Sequence, residues 1–320
     1  MSRGAAADPL PVWLLAGPTG VGKSEWALQL AESAPIEIVS VDSALVYRGL
    51  DIGSAKPARG LRERIAHHLI DICDPAESYS AGRFLADALA AIPAIHARGR
   101  VPLLVGGTML YFRALLHGLA PLPEATPDLR RKIDERAARE GWIALHAELA
   151  LCDPAAAARI NSSDAQRIQR ALEVCYASGR PISELQLHTV SPLAGMPVRA
   201  WALIPSDRAQ LHRHLEKRFH AMMAQGFLEE VRALHERADL HARHSSMRAV
   251  GYRQLWAHLE GEYELQEAIR RSVSATRQLA KRQLTWLRRE HAFESLDAQD
   301  SHTRASWIGD AQSALRELGL

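Results

Sequence analysis

Residues 12–24 read VWLLAGPTGVGKS, and the order of residue types in this stretch decides the fold. Val12 to Ala16 is an unbroken apolar run, the pattern of a strand buried on both faces. It breaks at Gly17-Pro18. Helical spacing follows from Ser24 to Ser33, with Trp26, Ala27, Leu30 and Ala31 on one side. Between strand and helix, Gly17, Gly22, Lys23 and Ser24 spell G-x-x-x-x-G-K-S. Diphosphate oxygens need inward-facing N–H donors, and glycines let the chain wrap that tightly. Lys23 adds a positive charge, and the Ser24 hydroxyl is a candidate ligand for Mg2+. With Pro18, Thr19, Gly20 and Val21 they predict a phosphate cradle.

Working outward, Ile36 to Val41 reads as a second strand ending on Asp42-Ser43, and His67 to Ile72 as a short third one. A helical stripe of Phe84, Leu85, Ala88, Leu89 and Ile92 precedes a fourth strand, Val101 to Val105, closed by Gly106-Gly107-Thr108. Strands alternating with helices predict an α/β fold with a parallel sheet, whose ligands sit beyond the carboxyl ends of the strands. The Gly17 loop, Asp42 and Thr108 all fall at such ends. The pattern changes at Pro121-Leu122-Pro123, after which only helices are legible until Met196-Pro197. Arg199 to Pro205 then restores a strand. The expected organisation is a core of residues 1–120 and 198–320, interrupted by an all-helical insertion at 121–197.

Asp42 suits either a metal-bound water and a proton in transit or the capping of the next turn. Thr108 suits either a substrate contact or the start of a helix. Arg167 and Arg170, with Gln166 and Gln169, give one helix face the guanidinium and amide groups that phosphates and base edges require, and Arg130-Arg131-Lys132 adds to it. Arg218 has the register of an arginine flanking a core. On a wheel of residues 268–289, Arg270, Arg277, Lys281 and Arg288 fall within about 40° of one another, beside Arg271, Arg282 and Arg289. That face is either solvated or built for a polyanion.

Composition excludes other classes. The 320 residues, 47% apolar and 24% charged, are those of an ordinary globular protein with no apolar run of membrane-spanning length. Cys73, Cys152 and Cys175 lie far apart, which argues for a reducing compartment and against a zinc ribbon. Asn161 is the only asparagine, so no Asn-Lys-x-Asp guanine reader exists and a regulatory GTPase is excluded. A small-molecule kinase with a phosphate loop survives this test.

Ten stretches narrow the choice further: GPTGVGKS (17–24), SVDSALVYRGLDIGSAKP (40–57), HHLIDI (67–72), YSAGRFLADA (79–88), VPLLVGGTMLYFRALLHGL (101–119), DAQRIQRALEV (164–174), SGRPISEL (178–185), RFHAMMAQGFLEEV (218–231), SMRAVGYRQLWAHLEG (246–261) and ATRQLAKRQLTWLR (275–288). Together and in this order they resemble the bacterial tRNA dimethylallyltransferases (isopentenyl-tRNA transferases, the IPP transferase family). Leu45 stands where many of that family carry Gln. The resemblance implies a P-loop NTPase-like core with a helical insertion. It also implies transfer of a dimethylallyl group from dimethylallyl diphosphate to N6 of adenosine 37, beside the anticodon, in tRNAs reading UNN codons. In that family's terms Asp42 is the general base, Thr108 lies beside it, and Arg218 serves the diphosphate with the phosphate loop and Mg2+. The implied tRNA contacts are Asp42, Ser43, Ala44, Leu45 and Thr108 at the reacting base. Arg130, Gln166, Arg167, Ile168, Gln169 and Arg170 would grip the anticodon stem-loop. Arg248, Gly251, Tyr252, Arg253, Arg277 and Lys281 would hold its backbone. A cytoplasmic monomer, with no membrane partner, is expected.

Overall fold

The apolar run after Pro11 is β1 (Val12–Ala16), buried along its whole length, and the glycine-rich loop beyond it opens α1 (Lys23–Ser33). The chain continues through β2 (Ile36–Val41), α2 (Arg59–Arg64), β3 (His67–His68), α3 (Ala81–His96), β4 (Val101–Gly106) and α4 (Met109–His117). Next come α5 (Pro127–Glu140), α6 (Trp142–Cys152), α7 (Pro154–Arg159), α8 (Ala165–Ser178) and α9 (Ile182–Leu185). Then follow β5 (Val198–Ile204), α10 (Arg208–Ala224), α11 (Phe227–His235), α12 (Tyr252–Leu259), α13 (Leu265–Leu287), β6 (Glu294–Asp297) and α14 (Ser301–Glu317). This computed structural model describes residues 9–123, 126–187 and 189–320. The chain divides into two compact units, one running to Leu115 and resuming over Leu193–Leu320, the other Leu116–Pro192.

In the first unit six strands form one sheet in the order β3-β2-β4-β1-β5-β6, and every pairing is parallel. This is the layered α/β core of a P-loop NTPase-like fold. One face is covered by α1 and α14, which join Trp13, Leu15, Ile38, Leu103 and Leu203 through Trp26, Leu30, Trp307 and Ile308. The registers matter most for function. Val41, Gly106 and Ala16 are successive Cα partners across β2, β4 and β1. The next residue of each strand, Asp42, Gly107 and Gly17, therefore leaves the sheet at one level.

Two sequence expectations change here. The third strand ends after His68 because Leu69 and Asp71 take positive φ angles of 61° and 59°. Asp71 is drawn off the strand path by Lys56 Nζ at 2.5 Å and Arg62 at 2.7 Å. Residues 291–320, silent in the sequence, supply the edge strand β6 and the covering helix α14. His67 and His68 are structural: one is bonded to the Ile65 carbonyl, the other to Glu37.

Glu37 lies at the end of β2 remote from Asp42, buried and gripped by Arg98 through bonds of 2.9 and 2.6 Å. The Arg98 fork holds its carboxyl at about 2, against an ordinary 4.5. The folded-state value lies below the unfolded one. This contribution to stability is therefore complete above about pH 4.5 and is lost as pH falls towards 2. Glu37→Gln should remove that part of the acid-induced fall in Tm. A variant whose melting temperature falls as steeply as that of wild type across the window would show that the cluster does not titrate there.

The second unit has its own core, including Ile133, Leu145, Leu149, Ile168, Leu172 and Val174. Its buried acids are satisfied. Asp153 caps α7 through the Ala156 amide at 2.8 Å and accepts from the Ser183 amide and hydroxyl. Glu173 accepts from Arg130 at 2.9 Å and from Arg170 at 3.4 Å.

Candidate active site

The loop from Gly17 ends in Gly22, whose φ of 98° is left-handed backbone that favours glycine. The amides of Glu25 and Trp26 turn back onto the Gly22 carbonyl at 3.0 and 3.2 Å. Among the described residues, the amides of Gly20, Gly22, Lys23 and Ser24 meet no acceptor. A run of free donors at the positive end of α1 is an anion site.

Two cations accompany it. Lys23 Nζ donates to the Pro18 carbonyl at 2.7 Å, and Arg218, from α10, reaches the Thr19 hydroxyl at 3.4 Å. Burial pushes the Lys23 ammonium down to about 7, Asp42 pulls it partly back, and Arg218 depresses it further. Arg218 too is shifted down by burial and supported by Asp42. A loop of free amides that already holds two cations favours a multiply charged anion.

Asp42 stands across from this cradle. Its Oδ1 accepts from the Ala44 and Leu45 amides at 2.8 and 3.3 Å, while no donor among the described residues bonds Oδ2. The Ser43 amide donates to Thr108 Oγ1 at 3.1 Å, and the Thr108 amide to the Val41 carbonyl at 3.2 Å. Thr108 also starts α4, its carbonyl accepting from Tyr111 at 2.9 Å. Both residues thus have the local capping roles that the sequence left open. Asp42 keeps an unengaged oxygen besides.

Two further residues shape the site. Gln283, buried on α13, accepts from the Thr19 amide at 2.8 Å and donates to the Gly107 carbonyl at 2.7 Å. Glu230, on α11, accepts from the amides of Asp51, Ile52 and Gly53 and from the Tyr252 hydroxyl at 2.5 Å. It pins the loop that follows Asp42. Neither stands out in the sequence, since their partners are mainly backbone groups. The one available signal was that Gln283 shares the inward side of α13 with Ala280, Leu284 and Leu287.

The residues expected to meet RNA divide into groups. Ser43, Gln166, Arg248, Arg253 and Lys281 are exposed, and Ala44 and Leu45 half-buried. Arg167 is exposed but pairs with Asp164 at 3.3 Å, and Gln169 donates to Asp134 at 2.7 Å. Arg130 and Arg170 neutralise Glu173, as described. Arg277 pairs with Glu216 at 2.8 Å, while Glu267 binds both Arg270 and Arg271. The cationic face of α13 is therefore partly neutralised towards its start, by acids that the wheel did not include. Ile168, Gly251 and Tyr252 are buried, so no side chain at these positions presents surface to RNA in this structure. Ile168 lies inside the core of its unit, and Gly251 is closed over by Phe227.

Known proteins resemble this chain over most of its length. The model of the IPP transferase family matches residues 45–290, and that of isopentenyl transferase matches residues 10–67. A tRNA dimethylallyltransferase from Alkalilimnicola ehrlichii is 58% identical over 280 residues, 88% of each chain. The solved structure of a full-length tRNA isopentenylpyrophosphate transferase from Bacillus halodurans is 33% identical, with a TM-score of 0.70 over 97% of this chain and 98% of that one. A eukaryotic dimethylallyltransferase captured acting on tRNA is 28% identical, with a TM-score of 0.76 over 96% of this chain and 77% of its own. The matches take in both the phosphate loop and the helices that carry Arg218 and Gln283. The chain belongs to the IPP transferase family.

Proposed function

We propose that this chain transfers a dimethylallyl group from dimethylallyl diphosphate to N6 of adenosine 37 in tRNAs reading UNN codons, releasing diphosphate. The observation that carries this is a cradle of free amides and two cations facing a carboxylate with an unengaged oxygen. An exocyclic adenine amine is a weak nucleophile, so the allylic carbon must gain cationic character as its bond to diphosphate breaks. The amides of Gly20, Gly22, Lys23 and Ser24, with the Lys23 and Arg218 cations, stabilise the charge that collects on the departing oxygens. As N6 bonds to the allylic carbon, its proton passes to Asp42 Oδ2. Thr108 Oγ1, tied to the Ser43 amide, holds the turn that aims Asp42. The base must leave its stack to reach these groups.

Mg2+ fits the same donors. Ser24 is exposed on the first turn of α1, and no cluster of three or more His, Cys, Asp or Glu able to hold an ion occurs among the described residues. Ser24 and Asp42 are the residues that would hold such an ion beside the diphosphate. Bound there, it would neutralise charge on the leaving group.

Incubating the protein with labelled dimethylallyl diphosphate and tRNA tests the proposal. Label should appear in tRNA at an adenosine beside the anticodon. Consumption of ATP with a small-molecule acceptor, and no labelled tRNA, would instead make it a kinase. No helix among the described residues is long and apolar enough to cross a membrane. The tRNA substrate is what assigns the proposed activity to the cytoplasm, and we take the enzyme to act as a monomer.

The anticodon stem-loop is assigned to the helical unit through Arg130, Gln166, Arg167, Gln169 and Arg170, and the RNA backbone to Arg248, Arg253 and Lys281. Among the described residues no acid pairs with the exposed Lys281 or Arg282 of α13, whereas Arg277 has to give up Glu216 before it can serve RNA. Lys281→Ala should reduce the slope of log affinity against log salt by roughly 0.7–0.9, equally for cognate and non-cognate tRNA. Filter binding at several salt concentrations measures this. An unchanged slope would return that face to plain solvation.

A further inference from the structure

Gln283 is buried on α13, remote in sequence from both groups it binds. Its side-chain amide faces two backbone partners of opposite kind, the Thr19 N–H and the Gly107 C=O. Only one orientation of the amide satisfies both, so its direction is fixed by its partners. The fit is close: a Cβ on Gly107 would stand 2.6 Å from Gln283 Nε2 and 3.3 Å from the Gly17 carbonyl. Neighbouring contacts hold the same corner. Ala280, one turn earlier, packs with Leu211 and Leu215 of α10. Leu215 fills the space beside Gly20, and Arg218 on the same helix holds the Thr19 hydroxyl.

We propose that Gln283 is a positioning residue for prenyl transfer, fixing the phosphate loop against the end of β4 that carries Thr108. The inference rests on the transferase reading above. The Thr19 amide is taken by Gln283, so that side of the loop cannot swing towards the anion, and the amides from Gly20 onward are left for it. Through Gly107 the same side chain anchors the residue preceding Thr108, which is bonded to the turn of Asp42. One amide thus sets the spacing between the group that receives the leaving diphosphate and the group that takes the proton. Displacement reactions depend steeply on such spacing, and an error of about 1 Å costs on the order of 10²-fold in rate. Binding of either substrate alone depends on it far less.

Two variants test this. Gln283→Met preserves length and volume and removes both hydrogen bonds. It should lower kcat about 10–100-fold while KM for dimethylallyl diphosphate and tRNA affinity stay within about threefold. Gln283→Glu keeps the acceptor for Thr19 but, when ionised, has no proton for Gly107. Protonation restores that donor. At saturating substrates the ratio of its turnover to that of wild type should therefore rise as pH is lowered from about 8 to 6. A Met variant with wild-type kcat overturns the proposal. So does a Glu variant whose ratio to wild type is constant with pH, and this second readout decides the matter if the Met variant does not fold. Wild-type protein that labels no tRNA at all would instead overturn the transferase reading.

Discussion

Replacing Asp42 with asparagine is expected to lower turnover by about 10²–10⁴-fold, with tRNA affinity changed far less. The choice of asparagine follows from the geometry. Asp42 has two separable jobs: Oδ1 caps the turn through the Ala44 and Leu45 amides, and Oδ2 is open to a proton. Asparagine retains an acceptor for those amides and removes the base. Alanine removes both. If Asp42 acts as the base, the two variants should lose similar amounts of turnover at saturating substrates, alanine slightly more. If its value is only the turn, asparagine should work almost normally and alanine should not. A nearly active asparagine variant would end the base assignment, and the oxygens of the departing diphosphate would become the place to look for a proton acceptor.

The second large effect belongs to Lys23. Burial lowers its ammonium from an ordinary 10.5 to about 7, so in the free protein at pH 8 it is mostly neutral. A bound diphosphate favours the charged form, and binding must then take up a proton. Relative to Lys23→Met, for which the ionisation of the ligand is the same, wild-type affinity for inorganic diphosphate should accordingly fall as pH rises above about 7. Calorimetric titration in two buffers of different ionisation enthalpy measures the uptake directly. Lys23→Met should abolish it and weaken diphosphate binding by roughly 30–1,000-fold, equivalent to about 2–4 kcal/mol for a desolvated charge pair. The same variant should melt no lower than wild type at neutral pH. A lysine whose folded value lies below its unfolded one gains stability only as pH rises from about 7 towards 10.5, so its charge is a cost at neutrality. Unaltered binding together with an unaltered pH profile would mean that the loop holds something other than a diphosphate.

The sequence makes the phosphate loop legible because strand, glycines, cation and helix follow one another within a dozen residues. It also makes Asp42 and Thr108 legible as strand ends, since parallel strands of similar length finish at one level. What escapes is whatever depends on partners distant in the chain. Gln283 looks like one polar residue among cations until the Thr19 amide, 264 positions away, comes within reach. Glu216 neutralises Arg277 from a different helix, so no wheel of α13 alone could show it. The burial of Ile168 and Tyr252 escapes for a different reason. Each lies in a stretch that matches the family, yet contiguity with exposed residues does not give a side chain their exposure. The apolar register of Ile168 with Leu172 already placed it on the inward side of α8. Strand β6 escapes because four residues reading ESLD carry no alternating pattern of their own.

The order of strands in the sheet has a consequence for how the protein is made. β1 emerges first but lies between β4 and β5, and β5 is translated only after the helical unit. Helix α1, which begins at the phosphate loop, waits longer still for its cover: Arg304 of α14 reaches Glu25 from 279 positions later in the chain. The helical unit, by contrast, is one continuous segment with its own core, and has all its partners while the sheet still lacks two strands. On the ribosome the segment assigned to gripping RNA can therefore mature before the segment that performs the chemistry. A nascent chain halted between the two would carry a folded helical unit attached to an open, apolar sheet of four strands, a substrate for chaperones or proteases.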